Sequence, residues 1–106
     1  MRVGQVIRLD PSRIEEYERL HAAVWPEVLA QIARSGIRNY SIFRYEDLLF
    51  ATFEYVGEDF DADMAAMAAD EATQRWWAVC GPMQRPVTER AEDEWWHTVP
   101  EVFHLD

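Results

Sequence analysis

The sequence predicts one small α+β domain, because patterns typical of strands and of helices alternate along the chain. Its 106 residues are 49% hydrophobic and 28% charged, which is enough apolar content for one modest core. Aromatic residues make up 13% of the chain, which is too rich for a disordered protein. No low-complexity linker or break in composition divides the chain, so residues 1–106 are expected to form a single domain.

Four segments show strand patterns. Residues 2–9 alternate loosely, and residues 37–45 and 48–56 are rich in aromatic and β-branched side chains. Glu46-Asp47 favours a tight hairpin between the second and third segments, and residues 101–105 alternate as a short final strand. The third segment is apolar on both faces, so it needs a helix on one face and a second cover, most simply a partner subunit, on the other.

Three segments show helical patterns. Apolar residues at three- and four-residue spacing predict a helix over residues 12–34, with a capping box formed by Ser12 and Glu15 and a C-terminal cap at Gly36. Pro26 has no N–H to donate, so this helix is expected to kink or break near residues 24–25. The other helical segments span residues 60–67 and 71–79, and a charged loop follows over residues 82–94.

The resulting order, β-α-β-β-α-β, is the ferredoxin-like topology, with an antiparallel sheet and helices on one of its faces. The uncovered sheet face is expected to be the surface of a homodimer. A small chain buries a modest share of its surface, which also favours oligomerisation.

Composition excludes several classes of chemistry. The chain has ten Arg and no Lys, so it has no Schiff-base lysine and no P-loop. Cys80 is the only cysteine, which excludes an internal disulfide, a redox pair and a cysteine zinc cluster. The net charge of −10 argues against nucleic acid and anionic membranes as partners. No apolar run approaches the length of a membrane span, and we expect a cytoplasmic protein with a neutral or cationic small ligand.

His21 is the first candidate for a catalytic role. Tyr17, His21 and Trp25 follow one another at intervals of four residues, so Tyr17 and His21 stack on one face of the predicted helix, joined by Trp25 if the helix continues to that point. An imidazole beside a phenol and an indole suits proton transfer to a hydroxylated ligand. A half-buried histidine with a purely structural hydrogen bond explains the same spacing.

The pair Trp76-Trp77 is the second candidate. Adjacent helical side chains point about 100° apart, so one ring can pack in the core while the other faces a cleft. A Trp ring beside polar residues suits the apolar CH face of a pyranose, although core or interface packing explains the pair as well. Trp95-Trp96 is interpreted as an interface anchor.

A metal site is not favoured. His97, Glu101 and His104 carry ligand atoms, but on a strand Glu101 and His104 would point to opposite faces, and the spacing matches no established site. The acidic run over residues 89–94 is interpreted as a solvated loop.

The segments around these candidates resemble the L-rhamnose mutarotase family. The string Tyr-x-x-x-His-x-x-x-Trp-Pro-Glu is specific, and the resemblance extends in register along nearly the whole chain. The matching stretches are EEYERLHAAVWPEV (15–28), GIRNYSIF (36–43), LLFATFE (48–54), QRWW (74–77) and the terminal EVFHLD.

The resemblance implies a dimeric α+β barrel and a cofactor-free aldose 1-epimerase, an isomerase that interconverts the α and β anomers of a 6-deoxy sugar. By position, His21 is similar to the family's proton donor, Tyr17 and Tyr40 to its sugar-contacting tyrosines, and Trp76 and Trp77 to its sugar-binding pair. In the implied mechanism His21 protonates the ring oxygen, and a base acting through a tyrosine or water takes the proton of the anomeric hydroxyl.

Two departures from the family pattern bear on specificity. Ala22-Ala23 follow His21 where many relatives have a polar residue, and Gly81–Trp96 replaces the usual Asn/Pro/Ser-rich loop. The resemblance implies L-rhamnose as the sugar, and these two departures leave L-fucose or another aldose as alternatives. A cofactor-free monooxygenase or haem-binding enzyme of the same fold, and a non-catalytic sugar-binding module, are the competing functions.

Overall fold

The computed structural model describes residues 1–106, which form four α-helices and a five-stranded antiparallel sheet. The strands are β1 (Arg2–Leu9), β2 (Ile37–Tyr45), β3 (Leu48–Tyr55), β4 (Gln84–Arg85) and β5 (His97–Val99). The helices are α1 (Ile14–His21), α2 (Pro26–Arg34), α3 (Phe60–Ala69) and α4 (Glu71–Cys80), and 3-10 turns cover Pro11–Arg13 and Gly81–Met83.

The sheet confirms the predicted antiparallel α+β fold. Its order is β2-β3-β1-β4, so the first and third strands are neighbours, as the ferredoxin-like topology requires. One edge of β1 is shared, because β4 pairs with Arg8 and Leu9 while β5 pairs with residues 4–6. The loop of residues 86–96 leaves the sheet between these two pairings.

The first helical segment breaks before Pro26, as predicted from the missing N–H of that residue. α1 ends at His21, α2 begins at Pro26, and the backbone N–H groups of Val28 and Leu29 donate to the Trp25 carbonyl at 3.0 and 3.1 Å. The predicted cap at Ser12 is wrong. The carboxylate of Asp10 caps the turn instead, because it accepts from both the N–H and the hydroxyl of Ser12.

The final strand lies earlier in the chain than the pattern predicts. β5 covers residues 97–99, whereas residues 101–105 are exposed and form no strand, so the prediction of a strand there is wrong. Pro100 lacks the N–H that would continue the pairing with β1, and the ladder ends immediately before it.

The core lies between the helices and one face of the sheet. On β3 the side chains of Leu49, Ala51 and Phe53 are buried on this face, while Phe50 on the opposite face is 40% exposed. The helices thus cover one side of the sheet only. The buried residues that form the core cluster are Ile7, Leu9, Tyr17, Val28, Leu49, Ala72, Trp76, Cys80 and Met83.

Candidate active site

Four aromatic side chains meet where α1, α2 and α4 converge. The rings of Tyr17 and His21 are stacked, with centroids 4.1 Å apart and planes inclined by 22°. Trp76 of α4 places its ring edge-on against His21, at 5.2 Å, and against Trp25, at 5.1 Å. The helical spacing predicted the contact between Tyr17 and His21, and packing of α4 adds Trp76 to the cluster.

The orientation of His21 is set by a backbone carbonyl. Its Nδ1 lies 2.8 Å from the carbonyl oxygen of Tyr17, one helical turn earlier. A carbonyl only accepts, so Nδ1 carries the hydrogen and Nε2 is the ring atom that gains or loses a proton. Burial lowers the pKa of His21, and it outweighs the hydrogen bond to the Tyr17 carbonyl, which acts in the opposite direction. The ring is therefore mostly neutral at pH 7, with a lone pair on Nε2.

Tyr17 is almost fully buried, at 3% exposure. Burial raises the pKa of its hydroxyl, and the opposing hydrogen bond from Gln84 does not offset this effect. The Gln84 amide nitrogen donates to the Tyr17 hydroxyl oxygen at 3.1 Å. Tyr17 therefore stays a neutral phenol at physiological pH, and it is a hydrogen-bond donor rather than a base.

Tyr40 reaches the site through a β-bulge. Between the pairs Arg38–Glu54 and Ser41–Thr52, two residues of β2, Asn39 and Tyr40, oppose the single residue Phe53. The extra residue turns Tyr40 to the helical face of the sheet, where its ring packs edge-on against Phe53 at 5.5 Å.

Burial of the Tyr40 hydroxyl raises its pKa to about 12, although the residue as a whole is 40% exposed. Ionisation of Tyr40 would raise the pKa of Tyr17 further, so the two hydroxyls lie within electrostatic range of each other. Like Tyr17, Tyr40 is a neutral phenol at physiological pH.

The two side chains of each tryptophan pair lie in different surroundings. Trp76 is buried, at 6% exposure, whereas Trp77 is 45% exposed and makes none of the ring contacts of the cluster. This is the division that adjacent helical positions predict. Trp96 packs against the core of its own chain, and the indole N–H of Trp95 donates to the Gln84 amide oxygen at 2.7 Å.

Gln84 is the residue near the site that the sequence does not reveal. It is 8% exposed and lies 67 positions after Tyr17, within a short strand that has no strong pattern of its own. Only the pairing of β4 with β1 indicates its role, because this pairing places the Gln84 side chain beside the Tyr17 hydroxyl.

The residues considered as metal ligands pair with charged side chains, and two of them, Glu101 and His104, lie 4.0 Å apart because no strand forms there to direct them to opposite faces. His97 Nδ1 lies 2.9 Å from a Glu94 carboxylate oxygen, and His104 Nε2 lies 2.8 Å from that of Asp106. No three His, Cys, Asp or Glu side chains come together as a metal-binding group. None of the helices is both long enough and apolar enough to cross a membrane.

These groups are suited to moving protons on an uncharged, hydroxylated ligand. Nε2 of neutral His21 accepts a proton, and the phenols of Tyr17 and Tyr40 donate hydrogen bonds without ionising. Indole rings beside them offer the flat apolar surface that the CH face of a sugar ring covers.

Comparison with known proteins identifies the family. The family model described as L-rhamnose mutarotase matches residues 2–105. The L-rhamnose mutarotase of Escherichia coli O17:K52:H18 is 38% identical over 113 residues, covering 99% of this chain and 98% of that protein. The corresponding protein of Oceanobacillus iheyensis is 30% identical over 105 residues, covering 99% and 98%.

A solved structure, that of L-rhamnose mutarotase FA22100 from Formosa agariphila, has the same fold. It superposes with a TM-score of 0.77 at 22% identity, covering 100% of this chain and 99% of the other. Together with the family match over residues 2–105, this confirms the resemblance found in the sequence. The chain belongs to the L-rhamnose mutarotase family, whose members are isomerases acting on carbohydrates.

Proposed function

We propose that this chain interconverts the α and β anomers of L-rhamnose, and that His21 is the group that moves the proton. The observation that carries the proposal is the hydrogen bond between His21 Nδ1 and the Tyr17 carbonyl, which leaves Nε2 as the single exchanging ring atom. The family match and the names of the relatives support L-rhamnose as the substrate.

The reaction needs one proton transfer at each of two oxygens bonded to the same carbon. Neutral His21 takes the proton of the anomeric hydroxyl on Nε2, and the bond between C1 and the ring oxygen breaks as the C1 carbonyl forms. The same proton passes from Nε2 to the ring oxygen, so the open-chain aldehyde has gained and lost no atoms. Rotation about the C1–C2 bond, followed by the reverse steps on the other carbonyl face, yields the other anomer.

The tyrosines and tryptophans hold the sugar in this proposal. The raised pKa values of Tyr17 and Tyr40 keep both hydroxyls protonated, so they donate hydrogen bonds to sugar oxygens and do not serve as the base. Trp76 backs the imidazole, and the exposed ring of Trp77 is available to the CH face of the sugar. No step requires a metal or another cofactor.

Saturation-transfer NMR of anomer exchange tests the proposal, with L-rhamnose and L-fucose run in parallel. The wild-type chain is expected to accelerate exchange of L-rhamnose more than that of L-fucose, and His21→Ala is expected to lose about 10²–10⁴-fold of the rate. His104→Ala is the matched control, because that histidine lies in the exposed C-terminal segment. Absence of acceleration with either sugar would overturn the substrate assignment, and undiminished exchange in folded His21→Ala would remove His21 from the mechanism.

We also propose that the chain is a homodimer that pairs through the uncovered face of the sheet. Phe43 and Tyr45 of β2 and Phe50 of β3 lie on this face and are 60%, 68% and 40% exposed. A contiguous exposed patch of large apolar residues is typical of an interaction surface. A cytoplasmic location, expected from the sequence, stays a prediction.

A further inference from the structure

We infer that Gln84 and Trp95 form a hydrogen-bond relay that directs the hydroxyl proton of Tyr17 toward the substrate. This inference rests on the proposed function for its substrate, and on the geometry of three side chains for its mechanism. Gln84 is a positioning residue in this relay, because it acts through Tyr17.

The direction of the relay follows from the donors and acceptors available. An indole N–H only donates, so the group of Gln84 that lies 2.7 Å from Trp95 Nε1 must be the amide oxygen. The amide nitrogen therefore faces Tyr17, whose hydroxyl oxygen lies 3.1 Å away. An amide NH₂ has no acceptor capacity, so the Tyr17 oxygen accepts this bond.

The consequence concerns the hydroxyl proton of Tyr17. Because the oxygen accepts from Gln84, the Tyr17 proton is free for another acceptor, and no hydrogen bond within the chain uses it. A sugar oxygen beside His21 and Tyr17 is such an acceptor. A freely rotating hydroxyl would have to lose one orientation on binding, whereas here the orientation exists before the sugar arrives.

The relay is held at both ends. Gln84 lies in β4, where it pairs with Leu9, and the next backbone contact joins the Asp10 N–H to the Met83 carbonyl at 2.8 Å. Trp95 follows Glu94, whose carboxylate fixes the end of the 86–96 loop through three hydrogen bonds. Gln84 and Trp95 are therefore each held in place by hydrogen bonds of the neighbouring backbone.

The decisive variant is Gln84→Glu, which reverses the bond to Tyr17. The introduced carboxylate accepts from both Trp95 and Tyr17 when it is ionised, so Tyr17 donates to the protein and is lost to the sugar. We expect kcat for L-rhamnose anomer exchange to fall about 10–100-fold with KM changed less than about threefold. Gln31→Glu on α2 introduces the same change away from the site and is expected to leave both constants unchanged.

The pH profile separates positioning from a merely structural role. When the introduced carboxyl group is protonated it donates as the amide does, so the ratio of variant to wild-type kcat should recover as the pH falls through the pKa of that group. Dividing the variant kcat by the wild-type kcat at each pH cancels the effect that His21 titration has on both enzymes. A loss that stays the same at every pH would overturn the relay, as would a Gln84→Glu enzyme as fast as wild type.

Two further measurements make the result independent of folding and of the substrate assignment. Trp95→Phe removes the donor that orients the amide, and it should lower kcat several-fold alone but not further in the Gln84→Glu background. The ¹³Cζ resonance of Tyr17, identified through Tyr17→Phe, should shift in Gln84→Glu because the phenol then donates to a carboxylate. If wild type accelerates no sugar, the proposed function fails while this resonance still decides the relay: an unchanged shift would overturn it.

Discussion

His21 exchanges protons through one atom, and that atom is chosen by the helix that carries it. The residue ends α1, where its Nδ1 bonds to the carbonyl of Tyr17 one turn earlier. Stacking on Tyr17 and contact with the edge of Trp76 partly bury the ring, and this burial lowers its pKa. A neutral resting state is compatible with the role of proton donor that the resemblance implies, because in the proposed mechanism the ring first takes the proton that it later gives.

The sign of the pH dependence follows from this resting state. Since burial lowers the pKa of His21 below its ordinary value of 6.5, kcat/KM for L-rhamnose anomer exchange should be constant at neutral pH and fall as the pH drops through the lowered pKa. An NMR titration of the His21 ring should give the same midpoint. A rate that rises on acidification would show instead that the protonated ring starts the reaction.

At the scale of an element, the bulge in β2 depends on the backbone conformation of one residue, Asn39. Asn39 has φ of +51°, in the left-handed region that Asn tolerates better than most side chains, and its amide donates to the Glu54 carboxylate at 3.1 Å. Without the bulge, the strand's alternation would place Tyr40 on the opposite face. The orientation of a candidate sugar-binding residue thus depends on its neighbour.

Substitution at residue 39 tests this dependence. Asn39→Val places a β-branched side chain at positive φ, and we expect it to destabilise the fold by about 1–3 kcal/mol and to lower the rate of anomer exchange. Asn39→Gly loses the same hydrogen bond to Glu54 but adopts the same φ readily, so it should retain the rate. Thermal unfolding and NMR exchange on the pair provide the measurement; equal effects would show that the bond matters and the backbone conformation does not.

The loop of residues 86–96 is organised by one carboxylate within its acidic run. Glu94 accepts from His97 at 2.9 Å and from the backbone N–H groups of Ala91 at 2.8 Å and Thr98 at 3.1 Å. These bonds lower its pKa to about 2, with the His97 bond as the largest cause. The interpretation of the whole run as a solvated loop therefore misses one residue that shapes it.

The stabilising effect of Glu94 has a definite pH range. Its folded pKa is depressed from the ordinary value of 4.5 to about 2, so the stabilisation is present above 4.5 and is lost as the pH falls toward 2. The amide resonances of Ala91 and Thr98 should titrate with that low midpoint. Glu94→Gln should loosen the loop and raise hydrogen exchange across it at neutral pH, whereas Glu92→Gln in the same run should not; indistinguishable variants would contradict this role.

At the scale of the whole molecule, the sheet has one covered and one uncovered face. The helices pack over Leu49, Ala51 and Phe53, whereas Phe43, Tyr45 and Phe50 face away from them. The proposed dimer would bury this second face and cover β3 on both sides, as its sequence predicts. A symmetric pairing needs no second surface, because each chain contributes the same patch.

The proposed dimer can be tested by the mass of the protein in solution. Wild type should sediment at twice the 12.5 kDa of one chain, and Phe43→Glu should shift it to the mass of one chain because a carboxylate cannot be buried unpaired at the interface. Leu29→Glu, an exposed apolar position on α2, should leave the dimer intact. A monomeric wild type, or a dimeric Phe43→Glu, would count against this face as the interface.

Local patterns in the sequence determined the elements whose causes are local. The helix break before Pro26, the hairpin at Glu46-Asp47 and the stacking of Tyr17 on His21 each depend on residues within one turn or one hairpin. Sterics, missing donors and helical spacing act at that range, so the sequence alone was sufficient. The family motif is confirmed, and so is the order of the elements as far as Cys80, whereas the final strands lie outside the segment predicted for them.

Tertiary structure decided what depends on partners distant in the chain. β5 forms at residues 97–99 because β1 offers pairing there and Pro100 ends it, which the alternation of residues 101–105 does not show. Tyr40 faces the site because of a register shift against β3, and Gln84 meets Tyr17 only after β4 has paired with β1. In each case the hydrogen-bonding partner is contributed by another element, and a periodic pattern within one segment carries no information about it.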